Sequence, residues 1–436
     1  MLVKNYAEAL SFIHGRTKFK KSPTLQRMQR FVKALGHPEK QFPIIHITGT
    51  NGKGSTVAFL RELLQQQGLR VGTYTSPFIV KFNERIEIDG KMISDEEIVS
   101  LVNQVGPPVA LQLDQQLAAA EGGPTEFEIL TAMMFVYFAK AQLDLALIEV
   151  GIGGTFDSTN VVTPLLSVIT TVAYDHTELL GGPTIASIAQ HKAGIIKEGC
   201  PVVVGNVPAP ALKVIRQRAA TLNAPLYIFN EDYHVQRLVK SSWGEDFSYA
   251  GLGERFGKLH TDLAGHFQVE NAAVAVTSYL VWAHQNHSVI KRREVQAALG
   301  KTCWPGRFEP VNQEPLIILD GAHNQAAIDE LVLSLKQDFR GRHVYILIAI
   351  LADKQPREML AELAQLANTT VIATTFNGPP RKVADVQAMA ANNQLIQYEK
   401  QWQPALVKTV QQMSTDDVLL VTGSLYFISE VRQFFK

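Results

Sequence analysis

Residues 48–56 read TGTNGKGST and carry the plainest chemistry in the chain. They lie between an apolar run at 44–48 and a helical pattern from about residue 55 to residue 67. Glycines let backbone N–H groups approach a phosphate chain, and a helix N-terminus adds a partial positive charge. Lys53 can reach terminal phosphates, and Ser55 or Thr56 can serve a Mg²⁺ ion, while Thr50, Asn51, Gly52 and Gly54 complete the loop. A strict P-loop would place a glycine where Ile47 stands, so the match is to a shortened variant. The competing reading is an ordinary glycine turn, which the strand–turn–helix context disfavours.

Other polar residues follow apolar runs. Ser76 follows the run 71–75, Glu149 closes DLALIEV ahead of Gly151, Gly153 and Gly154, and Asp175 and His176 follow 166–173. Hydroxyl, carboxylate and phosphate oxygens suit Mg²⁺. Singly, each has a plainer reading: a turn residue, a solvated strand end, a surface histidine. Beside a phosphate loop they persuade as a set.

Lys192 falls on an apolar helical stripe of Ile185, Ile188, Ala189, Ile195 and Ile196. A buried lysine loses hydration, its pKa drops, and the neutral amine can add carbon dioxide to become a metal-binding carbamate. Spacing alone favours the other reading, a lysine snorkelling from the edge of the stripe. Further on, Arg307 sits between Gly306 and Phe308, LDGAHN supplies Asp320 and His323, and VTGSLYF supplies Ser424. Asp320 can accept from ribose hydroxyls and Arg307 can neutralise a transferring phosphoryl group. A plain turn, with Asp320 or Asn324 capping the next helix, is an equal alternative.

The elements that must position these residues follow from length and pattern. A chain of 436 residues exceeds one ordinary core and predicts two domains, or three. Near-continuous apolar runs at 44–48, 71–75, 145–150, 166–172 and 202–204 alternate with helical patterns, as in a parallel sheet covered on both faces. The pattern restarts at 316–319, 344–351, 370–374 and 418–421, after a Pro- and Gly-containing stretch. The expected architecture is therefore α/β: a domain over 1–300 with a mostly parallel sheet, a linker over 301–311, and a smaller α/β domain over 312–436. In such sheets ligands collect at the carboxyl ends of strands.

Composition excludes several functions. Lys plus Arg number 41 and Asp plus Glu number 41, so no basic surplus exists for displacing counterions from nucleic acid. With only Cys200 and Cys303, a disulfide framework or Cys-based zinc site is ruled out. The densest apolar stretches, 129–139 and 344–352, are too short to span a bilayer. These features predict a cytoplasmic protein with no nucleic-acid or membrane partner; a monomer is expected, although the sequence does not itself reveal the oligomeric state.

The motifs in this order resemble the Mur ligase superfamily and, within it, the folylpolyglutamate synthases. The resemblance runs almost end to end: TGTNGKGST (48–56), YTSPF with FNERI (74–86), IEVGIGG and DSTNV (148–161), DH and HKAGIIK (175–197), GHFQVENAA (265–273), WPGRFE (304–309), LDGAHN (319–324), LADK (351–354) and TGSLYF (422–427). It implies an N-terminal P-loop-type ATPase domain that also binds folate, and a C-terminal Rossmann-like ligase domain. Lys53 and its loop would hold the ATP phosphates, Asn271 would lie near the base, and Arg307 and Asp320 would contact phosphate and ribose. Ser76, Glu149, His176 and a carbamylated Lys192 would bind Mg²⁺, reversing the reading from spacing. His323 would lie near the reaction centre, and Phe78, Arg85 and Ser424 would bind substrate. The implied reaction joins L-glutamate to the γ-carboxylate of a reduced folate through an acyl phosphate, using ATP and Mg²⁺, with a monovalent cation as a further candidate. Thr155-Phe156-Asp157 stands where many bifunctional enzymes of the family have Arg-Leu-Asp. That favours extension of reduced folates over dihydrofolate synthesis from dihydropteroate. A non-catalytic ATP-binding module is the alternative of a different class.

Overall fold

The structure is a computed structural model that describes residues 2–17, 24–116, 122–175, 182, 184–240, 242–378 and 382–435. Its contacts divide the chain into two units. The first comprises Met1–Val235, Tyr249–Phe256 and Asn271–Leu299, and the second Gln236–Ser248, Gly257–Glu270 and Gly300–Lys436.

The first unit is built on eight strands: β1 (Ile44–Thr48), β2 (Val71–Tyr74), β3 (Ile86–Ile88), β4 (Lys91–Met92), β5 (Leu145–Glu149), β6 (Leu166–Ile169), β7 (Val202–Val204) and β8 (Leu226–Ile228). They lie in the order β4-β3-β2-β5-β1-β6-β7-β8. The six from β2 to β8 are parallel, and β3 and β4 extend one edge antiparallel. β1, β2, β5, β6 and β7 are buried at every residue, which is why they read as apolar runs and not as alternations. From β1 the chain crosses one way to β2, and from β6 it steps the other way to β7 and β8. That reversal opens a crevice at the carboxyl ends of β1 and β6.

The helix after β1 runs Lys53–Gln65, two residues earlier at each end than the pattern predicts. It begins early because Gly52, at φ +83°, turns the chain sharply as the N-cap. A second helix, Glu126–Ala141, is buried along most of its length, and Phe135 and Phe138 pack in one core with Tyr74 and Ile148 of the sheet. Its first turn carries a capping box in which Thr125 and Glu128 exchange bonds.

In sequence there follow β9 (Tyr233–Arg237), β10 (Glu245–Gly251) and β11 (Glu254–Thr261), a three-stranded sheet ordered β11-β10-β9. The helix Arg292–Lys301 ends as the predicted linker begins. The second unit then forms a sheet of β12 (Glu309–Gln313), β13 (Leu316–Leu319), β14 (Val344–Ile348), β15 (Thr369–Thr375), β16 (Ile396–Gln401) and β17 (Val418–Thr422). The order is β12-β13-β17-β14-β15-β16, parallel except for β12. The last strand thus lies at the centre, and its end falls between those of β13 and β14. Among the described residues, no helix is long and apolar enough to cross a membrane.

Glu128 also receives Arg27 Nε at 2.7 and 3.0 Å, and both side chains are buried. Removing one member of such a pair strands the other charge in the core. Glu128→Ala is expected to lower unfolding stability by about 3–5 kcal/mol, read by urea denaturation, and Arg27→Met with Glu128→Leu is expected to recover most of it.

Candidate active site

The loop between β1 and the helix Lys53–Gln65 is tied to the segment after β6. Thr50 N donates to Thr171 O at 2.9 Å, and Asn51 N donates to Thr171 Oγ1 at 2.9 Å. Thr170 Oγ1 donates to Asn51 O at 2.6 Å, while Thr50 Oγ1 donates to Ala173 O at 3.1 Å. The loop is therefore held in place before any ligand arrives. At Gly52 a Cβ would lie 2.2 Å from Asn271 Oδ1, so Gly52 is needed for space as well as for its positive φ. That contact brings Asn271 to the loop, although it lies over two hundred residues away in the sequence.

Lys53 Nζ donates to Gly49 O at 3.1 Å and Thr50 O at 3.2 Å, and it lies 3.8 Å from Glu149 Oε1. Glu149, at the end of β5, is 4 % exposed and also accepts from Ser76 N at 3.2 Å. The loop, Ser76 just past β2 and the carboxylate that ends β5 thus meet at adjacent strand ends. Ser55 and Thr56 are both buried in the first turn of the helix, and Thr56 Oγ1 has no hydrogen-bond partner.

Lys192 lies in the helix Ile185–Ala193 and is 3 % exposed. The snorkelling that spacing alone favours does not occur: Lys192 is buried with Ile188, Ala189, Ile195 and Ile196 of the stripe, and Ile185 is half-buried. The helix end is locked to the glycine loop after Glu149: Thr155 N and Oγ1 donate to His191 O at 2.9 and 3.1 Å, and Asn160 Nδ2 donates to Gly194 O at 3.1 Å. Burial, followed by the charge of Lys53, pulls the Lys192 pKa down to about 7, with Asp175 opposing. His176, the remaining predicted metal ligand, lies outside the described residues.

After β2, the segment bearing the predicted substrate residues is an ordered turn. Glu84 accepts from the N–H groups of Ile79, Val80 and Lys81 at 2.7, 3.1 and 2.9 Å. The Arg85 guanidinium lies 5.2 Å from the Phe78 ring centre and 5.7 Å from that of Phe82. Phe78 and Arg85 are thus brought together.

In the second unit, Asp320 follows β13 and is 3 % exposed. Its two carboxylate oxygens accept from Phe308 N at 2.9 Å and Ala322 N at 2.8 Å. Burial raises its pKa, and the Arg307 charge and these two backbone bonds oppose that. A Cβ at Gly321 would fall 2.2 Å from Arg307 Nη1, so the guanidinium crosses directly over this glycine. His323 Nδ1 lies 2.8 Å from Gly321 O. A carbonyl only accepts, so the proton sits on Nδ1 and Nε2 is the basic nitrogen. Ser424 is the N-cap of the helix Leu425–Phe434; its Oγ is buried, makes no capping bond and has no hydrogen-bond partner.

Some contributors were not singled out from the sequence. Thr170 and Thr171 hold the loop after β1 from a neighbouring strand end. Beneath the glycine loop, Asp157 accepts from Ile152 N and Thr159 N, each at 3.0 Å. Thr159 Oγ1 donates to Asp157 and lies 2.8 Å from His46 Nε2, so His46 donates there; burial, then the Lys197 charge, lowers the His46 pKa to about 3 and keeps its ring neutral. The signal available was a buried-type polar residue inside an apolar strand.

Comparison with known proteins gives consistent matches. The Mur ligase middle domain matches residues 47–279, and the glutamate ligase domain of Mur ligases matches 306–425. The chain is 40% identical over 438 residues to a dihydrofolate synthase/folylpolyglutamate synthase of Bacillus subtilis, covering 99% of both proteins. It is 39% identical over 429 residues to a folylpolyglutamate synthase of Lacticaseibacillus casei, covering 98% of both. Among solved structures, an FPGS–AMPPCP–folate complex superposes with a TM-score of 0.86 at 38% identity over 99% of both chains. Folylpolyglutamate synthase of Mycobacterium tuberculosis, complexed with ADP and AMPPCP, gives 0.89 at 29% identity over 99% of this chain and 98% of that one.

The depressed Lys192 value has a consequence for stability. Between about pH 7 and the ordinary lysine range the unfolded chain binds more protons than the native one, so stability rises with pH across that window. In carbonate-free buffer the urea midpoint is expected to climb from pH 7 to pH 9.5, and Lys192→Met is expected to start higher at pH 7 and lose the climb.

Proposed function

The chain belongs to the Mur ligase family, in its folylpolyglutamate and dihydrofolate synthase branch, and we propose that it joins L-glutamate to the γ-carboxylate of a reduced folate. The enzyme is an ATP-dependent amide-forming ligase, and the products are folylpolyglutamate, ADP and phosphate. The observation that carries this reading is the meeting of Lys53, Ser76 and Glu149 at adjacent strand ends, beside a loop fixed in advance to receive phosphates.

A carboxylate is a poor acyl donor, because oxide is a poor leaving group. Transfer of the γ-phosphoryl group of ATP to the folate carboxylate creates an acyl phosphate, from which phosphate leaves readily. Two anions must first be brought together, and Lys53 and Arg307 supply positive charge for that encounter. Lys53 is held on two loop carbonyls and can exchange them for phosphate oxygens. Thr50, Asn51, Gly52, Gly54 and Ser55 present the remaining loop groups, with Asn271 beside Gly52.

The donor set suits Mg²⁺. Among the described residues no three His, Cys, Asp or Glu side chains cluster as a metal cage. The Glu149 carboxylate and the Ser76 hydroxyl would hold the ion, with His176 and carbamylated Lys192 completing the set. Burial of Lys192 and its lowered pKa support the carbamate, since a neutral amine is what adds carbon dioxide. When bound, the ion would neutralise phosphate charge.

The second unit supplies the amino-acid chemistry. The N-terminus of the helix Leu425–Phe434, with the buried Ser424 hydroxyl, suits a carboxylate of L-glutamate. His323, its Nδ1 on Gly321 O, would take the proton from the incoming amine through Nε2. Phe78 and Arg85 offer a stacking face and a cation to the folate. Asp320 has both oxygens on backbone amides, and its remaining lone pairs are what a ribose hydroxyl would use. A cytoplasmic monomer completes the proposal.

A second acceptor has support in the relative from Bacillus subtilis, whose name includes dihydrofolate synthase. ADP release measured with tetrahydrofolate, a one-carbon-substituted folate and dihydropteroate, each with and without glutamate, separates the readings. The expected result is release that requires both a reduced folate and glutamate. Release with dihydropteroate alone among the acceptors would make the enzyme a dihydrofolate synthase, and no stimulation by any acceptor would leave a non-catalytic ATP-binding module.

A further inference from the structure

We propose that Trp243 is a positioning residue for the ligase reaction: stacked on Phe308, it holds that residue in a left-handed backbone conformation and so fixes where Arg307 presents its guanidinium. This rests on the reading of Arg307 as the cation that neutralises the transferring phosphoryl group.

Phe308 has φ +48°, a region that bulky side chains rarely adopt. Strain of this kind persists only where surrounding contacts over-determine it. Here they do. The Phe308 ring is 1 % exposed and stacks between Trp243, at 6.4 Å and 23° between planes, and Phe339, at 6.1 Å and 27°. Arg342 covers the stack from the Phe339 side, 5.6 Å from that ring centre.

The backbone around Arg307 is tied on both sides. Phe308 N donates to Asp320 Oδ2 at 2.9 Å, and Gly321 N donates to Gly306 O at 2.9 Å. Gly306 N donates to Glu309 Oε2 at 2.8 Å, and Glu309 is gripped by Arg432 at 2.9–3.1 Å. Each bond holds a residue flanking Arg307, while Gly321 leaves the channel through which its side chain passes. The stack is what keeps Phe308 from relaxing to negative φ. Such a relaxation would rotate the peptide following Arg307 and turn the guanidinium away from its track over Gly321. Trp243 is only partly buried, so its ring can be trimmed without opening the centre of the core.

The test is a double-mutant cycle on single-turnover and steady-state ADP release, with thermal unfolding as the folding control. Trp243→Ala is expected to lower kcat roughly 10- to 100-fold, with KM for folate unchanged, as displacing a charged group by about 1 Å does. Trp243→Phe, which keeps a stacking ring, is expected to restore kcat to within about threefold. In an Arg307→Ala background, Trp243→Ala is expected to change nothing further, because the group through which it acts is gone. Should Trp243→Ala not fold, Trp243→Leu takes its place in the cycle with the same expectations. Multiplying losses in the double variant, or wild-type kcat in Trp243→Ala, would overturn the proposal while leaving the Arg307 reading intact. Undiminished turnover in Arg307→Ala would overturn both.

Discussion

The charge arrangement on which the first unit depends is Lys53 beside the buried Glu149 at the end of β5, with Lys192 buried in the helix Ile185–Ala193. Lys53 lies 3.8 Å from Glu149, and Lys192 is buried within range of the Lys53 charge. Burying charge is costly unless it is paired. Lys192 is buried, and burial, followed by the Lys53 charge, pulls its pKa down to about 7 against the opposing charge of Asp175. The outcome is a site poised to gain negative charge, whether as phosphate oxygens at Lys53 or as a carbamate at Lys192. The sheet order makes this possible, because β2, β5 and β1 are neighbours and each ends in one of the participating groups or loops.

The second unit solves a related problem with backbone. Asp320, Gly306 and Glu309 use hydrogen bonds to main-chain N–H and C=O groups to hold the Arg307 loop, and His323 is oriented by a carbonyl. Placing β17 between β13 and β14 sets Ser424 beside the residues that follow β13. Gly423 N donates to Ala322 O at 3.0 Å, which ties these two turns directly. In both units the proposed site residues sit largely on short strand-end turns, and the strands beneath are buried and apolar.

Much of this was legible because parallel strands covered on both faces must be apolar. β1, β7 and β13 have the bounds that their apolar runs suggest, and the glycine-rich segment 48–56 forms the turn between a strand and a helix. The antiparallel pieces escaped notice for the converse reason. β11 alternates between buried and exposed residues and carries Glu254, Arg255, Lys258 and His260, so it never forms an apolar run, and β4 is only two residues long. Lys192 was ambiguous because helical spacing identifies a stripe but not how far its edge is covered; in the fold the residue is 3 % exposed. The roles of Thr170, Thr171, His46 and Trp243 depend on contacts across long sequence separations, which local pattern does not encode.

The central claim is that Glu149 restrains Lys53 and, with Ser76, supplies the oxygens for Mg²⁺ beside the phosphate loop. Calorimetric binding of ATP to Glu149→Gln, with and without Mg²⁺, tests it most directly. Wild-type protein is expected to bind ATP at least about tenfold more tightly with the ion present, and the variant is expected to bind equally with and without it, keeping the ion-free affinity because Lys53 is released. A variant that retains the full gain from Mg²⁺ would contradict the account.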